Sequence, residues 1–150
     1  VATHGLAHWR QQGLLSLWRY TGANRSYQGW HICADVAGCQ SLLALLDALP
    51  EEPSAPYRTV SLSPPSPAML AVPGRMFSGI ETVAKLRLAY VASSTDWLFA
   101  TSPNVATLTI GESWRIKLRE AAIALSTGGG DFRVGPEDRE RGIWFWWWRR

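Results

Sequence analysis

The sequence predicts an α+β fold: a mainly antiparallel sheet with two helices packed on one face. Three observations predict it. Segments with strand character arrive in adjacent groups, in the order β-β-α-β-β-β-β-α-β-β, rather than alternating with helices. Only Val36 to Leu49 and Gly111 to Thr127 carry apolar residues at helical spacing. The last strand, Ile143 to Trp148, is apolar on both faces, which places it in the interior of the sheet.

Each element follows from its residues. Residues 14–20 (LLSLWRY) alternate loosely and carry aromatics, which suits a strand. After the turn-rich stretch Thr21 to Gln28, residues 29–34 (GWHICA) supply a hairpin partner. Asp35 is an N-cap whose carboxylate can accept the orphan N–H groups of the helix that follows. Cys39, Leu42, Leu46 and Leu49 then form one apolar face, widened by Leu43 and Leu45, until Pro50 stops the helix. Residues 57–62 are a third strand. Residues 63–80 hold Pro64, Pro65, Pro67, Pro73, Gly74 and Gly79, a long irregular excursion of the kind that carries function or moves.

Residues 84–92 alternate cleanly, with Leu86, Leu88 and Tyr90 on one face and Lys85, Arg87 and Ala89 on the other. Residues 96–101 and 104–110 suit two antiparallel strands joined through Pro103. In the second helix Trp114, Leu118, Ala121, Ala122 and Leu125 share a face. Ile116 and Ile123 fall nearly opposite, a second stripe that is either packed under a loop or open to a partner. Gly128–Gly130 ends this helix, and residues 131–135 and 142–148 close the fold around a charged turn. No internal repeat is detectable in the sequence.

At 150 residues, one domain is expected, and a chain of this size buries roughly 70% of its unfolded surface without help from a metal or disulfide. Residues 1–13 are expected to be disordered or to precede the true start. Nine Trp residues are the unusual feature of the composition. The net charge of +3 is mild and lacks a basic run, which argues against a nucleic-acid binder. No apolar stretch is long enough for a membrane span. Residues 1–18 contain no signal-type apolar core, and Cys33 and Cys39 are the only cysteines, so a cytoplasmic setting with reduced thiols is the expectation.

Few constellations carry chemistry. Ile143 to Trp148 presents Ile143, Phe145 and Trp147 to one side and Trp144, Trp146 and Trp148 to the other. Its aromatics represent on the order of 25 kcal/mol of gross burial as an upper bound. Buried packing is the expected role, a partner-facing platform the next, and base stacking beside Arg149 and Arg150 the third. Cys33 and Cys39 have only His31 near them, short of a zinc ligand set. A hydrolase or transferase using His31, Cys33 and Asp35 is the enzymatic alternative, although no oxyanion hole or orienting group is identifiable. His4 and His8 have helical spacing but flank Gly5. Gly128–Gly130 follows a helix, whereas a phosphate loop precedes one. Asp35, Asp96 and Asp131 suit caps and turns, and Ser61, Ser63 and Ser66 lack a nucleophile elbow. No cofactor or metal site is expected.

Leu108-Thr109-Ile110-Gly111, Leu118-Arg119-Glu120, Gly130-Asp131-Phe132-Arg133-Val134-Gly135 and Ile143-Trp144-Phe145-Trp146-Trp147 together resemble a group of small uncharacterised bacterial proteins. These carry a helix, a Gly-Asp-aromatic turn and a closing Leu-Trp-Phe-Trp-Trp strand. The resemblance covers residues 84–148 and, more weakly, 29–62; Ile143 and the additional Trp148 depart from the pattern. It implies no activity and transfers no site residue. Proteins of this size and type often sit beside toxin genes as immunity proteins, so the expectation is a non-catalytic, cytoplasmic protein-binding domain of toxin-immunity type, with a protein partner. The candidate partner-binding residues are Met69, Leu70, Met76 and Phe77 in the excursion, Ile116 and Ile123 on the second helix, and Trp148 and Arg149 at the end. Single-strand nucleic-acid binding through the terminal Trp and Arg residues is the remaining alternative.

Overall fold

Short alternating segments build two sheets rather than one. The computed structural model describes residues 5–21, 28–52, 56–71, 79–93, 95–129, 132–138 and 141–146. Among these the order is β1 (Leu15–Tyr20), β2 (Trp30–Ala34), α1 (Val36–Ala48), β3 (Tyr57–Ser61), α2 (Pro67–Leu70), β4 (Ile80–Thr82), β5 (Lys85–Tyr90), β6 (Trp97–Ser102), β7 (Val105–Ile110), α3 (Glu112–Ser126), β8 (Phe132–Val134) and β9 (Ile143–Trp146). The first sheet runs β4-β1-β2-β9-β8 and the second β3-β5-β7-β6. Pairing is mostly antiparallel, but β2 lies parallel to β9 and β5 parallel to β7.

The α+β class holds, and β9 lies inside its sheet between β2 and β8 as its two apolar faces require. A single sheet with both helices on one face does not hold. Each long helix carries the chain from one sheet to the other: β2 leads through α1 to β3, and β7 through α3 to β8. The helices pack on one another. Their apolar sides join the inner faces of both sheets in one core that includes Leu17, Ile32, Leu45, Leu46, Leu88, Leu108, Leu118 and Phe145. Trp30 and Phe99 stack across the two sheets with centroids 5.9 Å apart. At the helix seam Arg115 pairs with Glu112 and reaches Asp47, and Arg119 donates to Asp47 at 2.7 Å.

The connectivity is duplicated. In the first half a hairpin (β1, β2) feeds a helix (α1) and then two antiparallel strands (β3, β5). In the second half β6, β7, α3, β8 and β9 repeat that sequence. Each sheet takes its hairpin from one half and its strand pair from the other, joined through the parallel pairs β2–β9 and β7–β5. Even the helix starts agree: Asp35 N–H donates to the Leu14 carbonyl at 3.1 Å, and Gly111 N–H to the Asp96 carbonyl at 2.8 Å. β4 and α2 are additions within the link from β3 to β5.

Residues 5–13 lie against the body of the fold: Leu6 is buried in the core and the Trp9 indole donates to the Ser41 carbonyl at 2.8 Å. The excursion over 63–80 contains α2 and the start of β4, with residues 72–78 outside those described. Ser66 caps α2 by accepting from Met69 N–H, and Pro67 supplies its first turn. The terminal strand is described as far as Trp146.

Candidate partner-binding surface

The apolar content of α3 is divided between two sides. Leu118, Ala121, Ala122 and Leu125 face the core. Ile116 and Ile123, one heptad apart, stay 44% and 39% exposed, with Glu120 between them on the same side. α3 begins at Gly111, which has no capping side chain; the Ser93 carbonyl occupies the space a Cβ would need.

Beside this stripe lies a cavity of about 470 Å³ between α3 and β8. Trp114, Lys117, Glu120, Ala121 and Ala124 form the helix wall, and Phe132, Arg133, Val134 and Gly135 the strand wall. The hollow exists because Ala121 and Ala124 are small where the facing strand is short. Its aromatic walls are fixed. The Trp114 indole donates to the Thr95 carbonyl at 3.2 Å, and its ring lies 5.0 Å from that of Trp97. Phe132 stacks on Phe145 at 5.5 Å. The Lys117 ammonium sits 4.6 Å from the Trp114 ring centroid, a cation–π position. Two cationic side chains and one carboxylate line the cavity, so its rim is mildly positive. Glu120 belongs both to the rim and to the Ile116–Ile123 stripe, which makes groove and stripe one continuous surface.

The other predicted residues distribute differently. Met69 is 3% exposed and Leu70 is half-buried. Both cover the outer face of the first sheet, against Trp18, Tyr20, Cys33 and Trp146. Tyr20 fixes this cover by donating to the Leu70 carbonyl at 2.8 Å. Met76, Phe77, Trp148 and Arg149 lie outside the described residues. The groove residues Lys117, Ala124 and Phe132 were not singled out from the sequence. Their signal is faint: two small residues on a helix flank, and an aromatic on a strand of three residues.

His31, Cys33 and Asp35 do not form a reaction centre. His31 and Cys33 are both fully buried on the outer face of β2, beneath α2. His31 lies between Trp18 and Trp146, with ring centroids 5.7 and 6.0 Å away. The Trp146 indole donates to His31 Nδ1 at 2.8 Å. Asp35 Oδ1 accepts from Gly38 N–H at 2.7 Å and Leu14 N–H at 2.9 Å, which commits it to the helix start. Burial, together with the nearby Asp35 charge, pushes the Cys39 thiol up to about 11, away from nucleophilic use. Among the described residues no three His, Cys, Asp or Glu side chains are grouped to hold a metal. Nor is any described helix long and apolar enough to cross a membrane.

No family model, curated protein or solved structure matches the chain.

Proposed function

We propose that the protein is a non-catalytic protein-binding domain that engages its partner through the outer side of α3 and the groove beside β8. One observation carries this reading: Ile116 and Ile123 remain exposed beside an open cavity with fixed aromatic walls. Apolar side chains around a preformed hollow are what a partner's anchor residues bury. The finer reading, an immunity protein that neutralises a toxin in the cytoplasm, rests on the size and type of the chain alone.

The test is capture from the native host. The intact protein is expected to retain one defined partner, and Ile116→Asp with Ile123→Asp to weaken capture at least about tenfold, since burying an unpaired carboxylate opposes docking. Both positions are exposed, so the thermal midpoint should hold. Equal capture by both proteins, or no capture together with turnover of a small substrate, would exclude the reading. A toxin gene beside this one would support the finer version.

A further inference from the structure

The two halves share a connectivity, so each groove in one half has a counterpart in the other. The counterpart of the α3–β8 groove is the groove between α1 and β3, and that one is filled by the chain itself. Arg58 on β3 donates to the Leu6 carbonyl at 3.1 and 2.8 Å. The Trp9 indole donates to the Ser41 carbonyl on α1. Ser41 Oγ accepts from Gln12 N–H at 2.6 Å and donates to the Gln12 carbonyl at 2.9 Å. The Gln11 amide pairs with the backbone N–H and carbonyl of Ser61, each at 2.8 Å. An irregular segment thus bridges the helix to an edge strand, with Leu6 buried as its anchor.

Aligning the helix starts Asp35 and Gly111, and the register of β3 on β5 with that of β8 on β9, pairs Ser41 with Lys117, Arg58 with Phe132 and Ser61 with Gly135. β8 is an edge strand, as β3 is. The second half has no arm to spend. The residues ahead of β6 are the short link from β5. Trp114, at the position of Gly38, lines the groove, and about 470 Å³ stays open, within the range of binding pockets.

We propose that the α3–β8 groove receives an extended segment of the partner protein, seated as residues 6–12 of this chain are seated against α1 and β3. The proposal rests on the protein-binding reading above. The segment's chemistry follows from the substitutions between the grooves. Phe132, Ala121 and Ala124 take one large apolar side chain. Lys117 donates where Ser41 both donates and accepts, so the segment places a carboxylate there. The Gly135 carbonyl just past β8, at the place of Ser61, already accepts from Arg133 Nη1 at 3.4 Å, so this end of the groove is closed by the chain itself.

Two synthetic peptides probe this directly by NMR titration of the intact protein: residues 5–13 of this chain, and the same peptide with Gln12→Glu. Both are expected to shift the amides of Ala121, Ala124, Phe132 and Gly135. The acidic peptide should bind about threefold more tightly, the scale of one exposed ion pair. Ala124→Trp, which fills the groove, should abolish the shifts, and Lys117→Glu should invert the preference between peptides. No shift at these amides at millimolar peptide overturns the proposal. So do shifts confined to Ser41 and Ser61, which would report displacement of the resident arm. So does equal affinity for free indole-3-acetate, which would make the groove a small-molecule pocket. Partner capture that depends on Ile116 and Ile123 without any peptide shift would sink this inference and leave the protein-binding reading intact. Peptide shifts without partner capture would leave the groove a site for extended segments and overturn its assignment to a protein partner.

Discussion

His31 illustrates how one residue's chemistry is set by its cover. An indole can only donate, so Nδ1 of His31 is the acceptor in this bond. Replacing it by Leu leaves the Trp146 N–H buried without that acceptor, at a cost of about 2–4 kcal/mol. Trp146→Phe removes the donor as well, so the double variant should cost less than the sum of the two single ones in urea unfolding. A His31→Leu protein within about 0.5 kcal/mol of the parent would show that the bond carries no stability. The cysteines make a second expectation at this scale. Cys33 and Cys39 are buried thiols, and Cys39 titrates near 11, so iodoacetamide at pH 8 should modify neither until the chain unfolds. Rapid labelling of the folded protein would contradict the packing. The sequence shows that His31 and Cys33 share a strand face, because they are two residues apart. It does not show that the face is covered, since the cover comes from Met69 and Leu70, far along the chain.

At the scale of elements, strands and long helices were legible because each is a clean period: alternation over Lys85–Tyr90, and Leu42, Leu45, Leu46 and Leu49 at helical spacing. β4 was not, since Ile80–Thr82 is too short to alternate and exists by pairing with Trp18–Tyr20. The Arg19–Glu81 pair belongs to that same junction. The second apolar stripe of α3 was legible as a stripe. Its exposure was not, because exposure depends on what other elements leave uncovered. The seam between α1 and α3 makes a pH prediction. A hydrogen bond from the Arg115 guanidinium holds the Glu112 carboxyl below its ordinary value, against a smaller opposing effect of burial. A carboxyl lowered by folding contributes stability above its unfolded value and loses it as pH falls through the lowered folded value. Stability should therefore drop below about pH 4.5, and Glu112→Gln should flatten part of that limb. The pair is partly exposed, so the effect stays below about 1 kcal/mol and shrinks with salt. An acid limb unchanged by Glu112→Gln would assign it to other carboxylates.

At the scale of the whole molecule, the duplication was invisible in the sequence for a physical reason. Equivalent inner positions keep their class, as Ile32 with Leu108, Phe145 with Leu88 and Val60 with Val134 do, but such pairs recur in any core. Equivalent outer positions diverge: His31 answers Thr107, and Trp144 answers Arg87. One outer face lies beneath α2 and the other carries exposed Lys85 and Arg87, so the two outer faces meet opposite solvation. The same asymmetry separates a filled groove from an open one, and the filled groove can be opened. A chain beginning at Gly13 loses burial of Leu6 and the hydrogen bonds of Trp9, Gln11 and Gln12. That should destabilise it by about 2–4 kcal/mol, or roughly 5–15 °C in thermal midpoint for a domain of this size. Peptide 5–13 added in trans should restore the midpoint in proportion to its concentration, because a ligand that binds only the folded form stabilises by mass action. A shortened chain as stable as the full one would mean that residues 5–12 contribute little. Loss of stability without rescue would mean that the arm acts only through its covalent link, and that a free segment does not seat in such a groove.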